Sequence, residues 1–85
     1  MPKIRVLLAD DHDVVRAGLR TALEDLPNLE IVGEVGNGPE LVEALARSIP
    51  DLLFMDVSMP DFDPIQAVRQ MKAERPGLKI LVVSA

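Results

Sequence analysis

Acidic and hydroxyl side chains stand directly after short aliphatic runs in this sequence. Asp10, Asp11 and His12 follow Ile4–Ala9 (IRVLLA), Asp56 follows LLFM at 52–55, and Ser84 follows Lys79–Val83 (KILVV). In an open α/β sheet, ligands bind beyond the carboxyl ends of the strands, where strand order reverses. If the first and third runs are neighbouring strands, Asp10, Asp11 and Asp56 converge at one rim. Three nearby carboxylates repel unless a pKa rises or a cation intervenes. Oxygen donors in a chain without cysteine favour a hard ion, and Mg²⁺ retaining several waters is the natural candidate. A carboxylate beside Mg²⁺ can act as a nucleophile toward phosphorus and give an aspartyl-phosphate. The metal would offset charge on the transferring oxygens. The Ser84 hydroxyl is then placed to hydrogen-bond a phosphoryl oxygen.

Those side chains need elements to position them. Ile4–Ala9 is nearly continuous apolar and predicts a buried strand, β1. Residues 13–26 predict an amphipathic helix, α1, through Val14, Val15, Ala17, Leu19, Ala22, Leu23 and Leu26, with Pro27-Asn28 ending it. Residues 31–35 (IVGEV) predict a shorter, more polar strand, β2, suited to an edge. After the turn Gly36-Asn37-Gly38, residues 39–48 predict α2, with Pro39 in its first turn and Leu41, Val42, Leu45 and Ile49 as its buried stripe. Residues 52–55 predict β3 and residues 58–63 a loop. Pro64–Glu74 predicts α3 with Ile65, Val68 and Met71 inward, and Lys79–Val83 predicts β4. Strands alternating with helices imply right-handed crossovers and a parallel sheet covered on both faces.

Composition narrows the function classes. At 85 residues the chain is one small domain at most, and its formal net charge of -5 argues against this piece binding DNA itself. The absence of cysteine excludes a disulfide framework and a thiolate metal site, and fits a reducing cytoplasm. No apolar run approaches the ~20 residues of a membrane span. Met-Pro-Lys-Ile-Arg runs into β1 without a signal-like stretch. The expectation is a cytoplasmic protein with no membrane contact.

Three motifs in order carry a resemblance. A-D-D-H (Ala9 to His12), D-V-S-M-P (Asp56 to Pro60) and V-V-S-A (Val82 to Ala85) resemble a response-regulator receiver domain of the CheY-like superfamily. The D-D-H form, V-V-R-A-G-L (Val14 to Leu19) and V-G-E-V-G-N-G (Val32 to Gly38) look most like the NarL/FixJ subfamily, whose members usually have a LuxR-type helix-turn-helix output domain. The resemblance implies a flavodoxin-like, doubly wound sheet with strand order 2-1-3-4. It implies that Asp56 accepts phosphate from a sensor histidine kinase and that Ser84 is the switch hydroxyl. It also implies that Asp10, Asp11, Asp56 and the Ser58 backbone carbonyl bind Mg²⁺. The protein would be a signalling switch, not an enzyme acting on other substrates, and would reach DNA through its own output domain. Residues 1–85 are then expected to be the N-terminal portion of a receiver domain. A fourth helix, fifth strand, fifth helix and the DNA-binding domain would lie outside this sequence.

Departures and rival readings sharpen the expectation. Pro64 stands where the family has glycine, which predicts a remodelled loop into α3. The family's lysine follows the fifth strand, and neither Lys72 nor Lys79 is placed to replace it. Alone, Asp10-Asp11 would read as a helix cap, and Asp56 and Ser84 as turn residues. His12 reads as a solvent-facing residue at the start of α1, Gly18 as a close-packing site, and Met55, Met59 and Met71 as packing. Glu40, Glu43 and Arg47 read as a solvated helix face. A haloacid-dehalogenase-type phosphatase would need a second Asp at position 58, which is Ser58. A phosphate-independent interaction module would bind neither Mg²⁺ nor a phosphate mimic. If the chain ends at Ala85, the hydrophobic β4 edge is expected to pair with a second copy as a homodimer.

Overall fold

A strand covered on both faces has no position where a side chain meets water, so continuous aliphatic runs belong at the centre of a parallel sheet. The computed structural model describes residues 3–83. β1 (Ile4–Ala9), α1 (Asp13–Glu24), β2 (Leu29–Val35), α2 (Gly38–Arg47), β3 (Leu52–Asp56), α3 (Pro64–Glu74) and β4 (Lys79–Val83) alternate along the chain. The sheet order is β2-β1-β3-β4, and every pairing is parallel. β1 and β3 are the central pair. The more polar β2 lies at one edge, and among the described residues β4 pairs only with β3.

The central strands divide their side chains between two cores. Leu7 and Ala9 of β1, with Leu53 and Met55 of β3, join Leu41, Ala44 and Leu45 of α2 and Met71 of α3. Val6 and Leu8 point the other way, to Leu23 of α1, Leu52 and Phe54. Each fully buried aliphatic side chain contributes ~1.5–3 kcal/mol relative to leaving it exposed. Met55, Met59 and Met71 are all buried packing residues, as expected.

The helix faces differ from the sequence expectation in detail. α1 ends at Glu24 rather than residue 26. The buried stripe of α2 is Leu41, Ala44 and Leu45. Val42 lies about 100° around the helix from Leu41 and is 70% exposed, while Ile49 is beyond the helix and 75% exposed. In α3 only Met71 is fully buried. Ile65 sits in the first turn and is 69% exposed, although it lines an open apolar groove with Met55, Val68 and Val82. Val14 and Val15 of α1 are exposed as well. Gly18 is not a close-packing site, since among the described residues nothing lies within 4 Å of a Cβ built there.

Both later helices start on side-chain caps. The Asn37 side chain accepts the Glu40 N–H at 2.8 Å, and the Glu40 carboxylate accepts the Gly36 N–H at 2.9 Å, satisfying two free donors at the start of α2. Asp63 accepts the Gln66 N–H at 3.2 Å and caps α3. Pro64 follows as the first helical residue, where no N–H is needed. Proline in place of glycine therefore continues into a regular helix. The bend falls earlier, at Asp61, whose φ is 53°.

Candidate functional site

Parallel pairing of β1 with β3 sets Ala9 against Met55. The residues that follow, Asp10 and Asp56, therefore share one rim. Both are deeply buried, at 3% and 1% exposure. Asp56 is the last residue of β3. The Asp10 backbone is fixed from both sides. Its N–H donates to the Val35 carbonyl at 3.0 Å, and its carbonyl accepts from the Arg16 guanidinium at 2.8 Å. Arg16 also pairs with Glu34 at 3.4 Å and so ties α1 and β2 to the acidic loop.

The carboxylates converge as the sequence predicts. Ligand atoms of Asp10, Asp11, His12 and Asp56 all lie within 4.8 Å of one another. His12 is half exposed at the start of α1, as expected, and its ring also reaches the carboxylates, which the sequence did not show. Its Nδ1 lies 2.9 Å from Asp10 Oδ1, 3.1 Å from Asp11 Oδ1 and 3.3 Å from Asp56 Oδ2. The His12 backbone N–H also donates to Asp10 Oδ1 at 2.8 Å. Three carboxylates drawn this close repel one another, and a positive or hydrogen-bonding group among them offsets the repulsion.

Ser58 holds Asp56 from the other side. Its backbone N–H donates to Asp56 Oδ1 at 3.0 Å, and its hydroxyl lies 3.0 Å from each carboxylate oxygen. Burial alone would push the Asp56 pKa up. The Ser58 bonds outweigh it, aided by Asp10 and the His12 charge, and Asp56 sits below the ordinary aspartate value. The His12 pKa is raised, first by its hydrogen bond to Asp10 and then by the Asp11 charge. The donor set fits a hard divalent cation: three carboxylates, no sulfur, and oxygens converging on one point. Ser84 lies outside the described residues. The loop after β3 docks on α2, where the Gly38 N–H donates to the Pro60 carbonyl at 3.2 Å. The contacts of Arg16 with Asp10, of Gly38 with the loop after β3 and of His12 with the carboxylates went unread in the sequence, which marked Gly38 only as a turn residue. All three act across elements, and no local pattern marks them.

The sequence matches the response regulator receiver domain family over residues 6–85. The chain belongs to that family. This receiver domain is 42% identical over 82 residues to the transcriptional regulatory protein LiaR of Bacillus subtilis, covering 96% of this chain and 39% of that one. The RcsB response regulator of Salmonella typhimurium superposes with a TM-score of 0.91 at 32% identity, covering 99% of this chain and 44% of that one. The isolated receiver domain of Salmonella enterica RcsB, solved with the phosphomimetic BeF₃⁻, superposes at 0.90 with 32% identity, covering 96% and 62%. The chain thus spans about two-fifths of the length of the curated relatives it matches. The receiver fold, with strand order 2-1-3-4, is that of the solved relatives. No helix among the described residues is long and apolar enough to cross a membrane.

Proposed function

We propose that this receiver domain is a phosphorylation switch of two-component signalling in which Asp56 accepts the phosphoryl group. The observation that carries the reading is a buried Asp56 carboxylate, held in its charged form and facing Asp10 and Asp11. An Asp56 oxygen attacks phosphorus, the bond from phosphorus to the donor imidazole of a sensor histidine kinase breaks, and its electron pair leaves with that imidazole. Asp10, Asp11 and Asp56 would hold Mg²⁺, with the Ser58 carbonyl as a further oxygen donor. The ion would neutralise charge on the phosphoryl oxygens. Ser58 orients the Asp56 carboxylate through its N–H and hydroxyl. Arg16 keeps the Asp10 backbone in register. Ser84 is assigned the switch hydroxyl by the motif Val82 to Ala85.

The domain reading belongs to the same proposal. Residues 1–85 are the N-terminal portion of a receiver domain that signals to a helix-turn-helix output domain and through it to DNA, in the cytoplasm. The length of the transcriptional relatives supports this, and so does the acidic charge of -5, which suits a control surface better than a nucleic-acid surface. The test is incubation of the complete receiver domain with a small phosphodonor and Mg²⁺, followed by intact-mass measurement and peptide mapping. Wild type gains one phosphoryl group on Asp56, and Asp56→Asn gains none. Equal phosphate on both proteins would refute the assignment.

A further inference from the structure

We infer that the His12 imidazole occupies the cation position of the acidic site, so that a divalent ion must expel it to bind and His12 thereby sets the metal affinity of the domain. This rests on the divalent-cation reading of Asp10, Asp11 and Asp56. His12 Nδ1 stands 2.9, 3.1 and 3.3 Å from one oxygen of each of those carboxylates. A point near 3 Å from all three oxygens is where a single hydrogen-bonding nitrogen replaces an ion. Mg²⁺ would bring its oxygens to ~2.0–2.1 Å and keep several waters. The ring and the hydrated ion cannot share that volume.

His12 is displaced rather than recruited as a ligand for two reasons. Mg²⁺ prefers carboxylate, carbonyl and water oxygens to imidazole nitrogen. The ring also has somewhere to go, because the His12 side chain is 46% exposed although Asp10 and Asp56 beside it are buried. Its backbone stays put through the N–H bond to Asp10 Oδ1. Rotation of the side chain into solvent then opens the site without moving α1. A neutral ring with its proton on Nδ1 blocks the position as a charged ring does, so the competition requires no change of protonation.

His12 is the one histidine of the chain, so its ring signal in a ¹H–¹³C NMR spectrum needs no assignment by mutation. Mg²⁺ is titrated at fixed pH into wild type, His12→Ala and Asp11→Asn, with affinity read by calorimetry and the wild-type ring by NMR. If the ring fills the site most of the time, His12→Ala binds Mg²⁺ about three- to tenfold more tightly. The wild-type ring signal moves toward that of a solvated imidazole as Mg²⁺ saturates, and Asp11→Asn loses affinity. Unchanged or weaker binding by His12→Ala, with Asp11→Asn still impaired, overturns the inference and leaves the cation site standing. Weaker binding would make His12 a ligand. A wild-type ring signal indifferent to bound Mg²⁺ overturns it without any variant. Full affinity in Asp11→Asn overturns the cation reading itself, and the inference with it.

Discussion

Gly38→Ala should destabilise this receiver domain, although alanine is the better helix former. Gly38 opens α2 against the loop after β3. A Cβ built on it runs into the Asp61 carbonyl oxygen and lies 3.1 Å from the carbonyl carbon. Both are backbone atoms, so no side-chain rotation relieves the overlap. Overpacking of this kind costs ~1–3 kcal/mol. If the loop retreats, the Gly38 N–H loses the Pro60 carbonyl, a bond of 3.2 Å worth ~0.5–1.5 kcal/mol. The gain in helix propensity offsets up to ~1 kcal/mol. The net loss is about 1–3 kcal/mol, or roughly 4–24 °C in Tm at ~4–8 °C per kcal/mol for a domain of this size. Gly18→Ala is the matched control. It lies inside α1 with none of the described residues within 4 Å of the added atom, and the change should stabilise by ~0.5–1 kcal/mol. Thermal and urea unfolding followed by circular dichroism measure both. Equal or greater stability of Gly38→Ala would refute the docking of the loop on α2, and a loss in Gly18→Ala would mean that α1 is packed there.

Two further outcomes follow from the site and the sheet. The folded pKa of Asp56 is depressed, so its contribution to stability is present above the ordinary aspartate pKa and lost as pH falls through the folded value. Urea unfolding between about pH 5 and pH 3 should therefore decline less steeply in Asp56→Asn than in wild type, and superimposable acid limbs would contradict the charged Asp56. A polypeptide of residues 1–85 should self-associate through β4, where Leu81 and Val82 are half exposed and β3 is the one described partner strand. Light scattering should detect association that weakens in Val82→Lys; a monomer at every concentration, or an indifferent Val82→Lys, would place the contact elsewhere.

The sequence by itself determined the framework of this protein. Polar residues end the aliphatic runs at Asp10 and Asp56, and strand length and alternation with helices are local properties. The sheet order came from the resemblance to the receiver family; polarity alone suggested only that β2 suits an edge. The three carboxylates were therefore legible as one cluster before any coordinates. Helix burial was legible only in part: Leu41 and Leu45 are buried, but Val42, Ile49 and Ile65 stay exposed. Hydrophobicity says that a side chain prefers burial, not that the sheet extends far enough to cover it. Tertiary structure alone decided what lies between the carboxylates and what holds them. His12 turns inward because three negative charges from two strand ends attract its ring. Arg16 reaches the Asp10 carbonyl from the first turns of α1, and Gly38 is needed because the loop after β3 crosses the start of α2. Each of these depends on a distance between segments remote in sequence, and such distances are set only when the helices pack on the sheet.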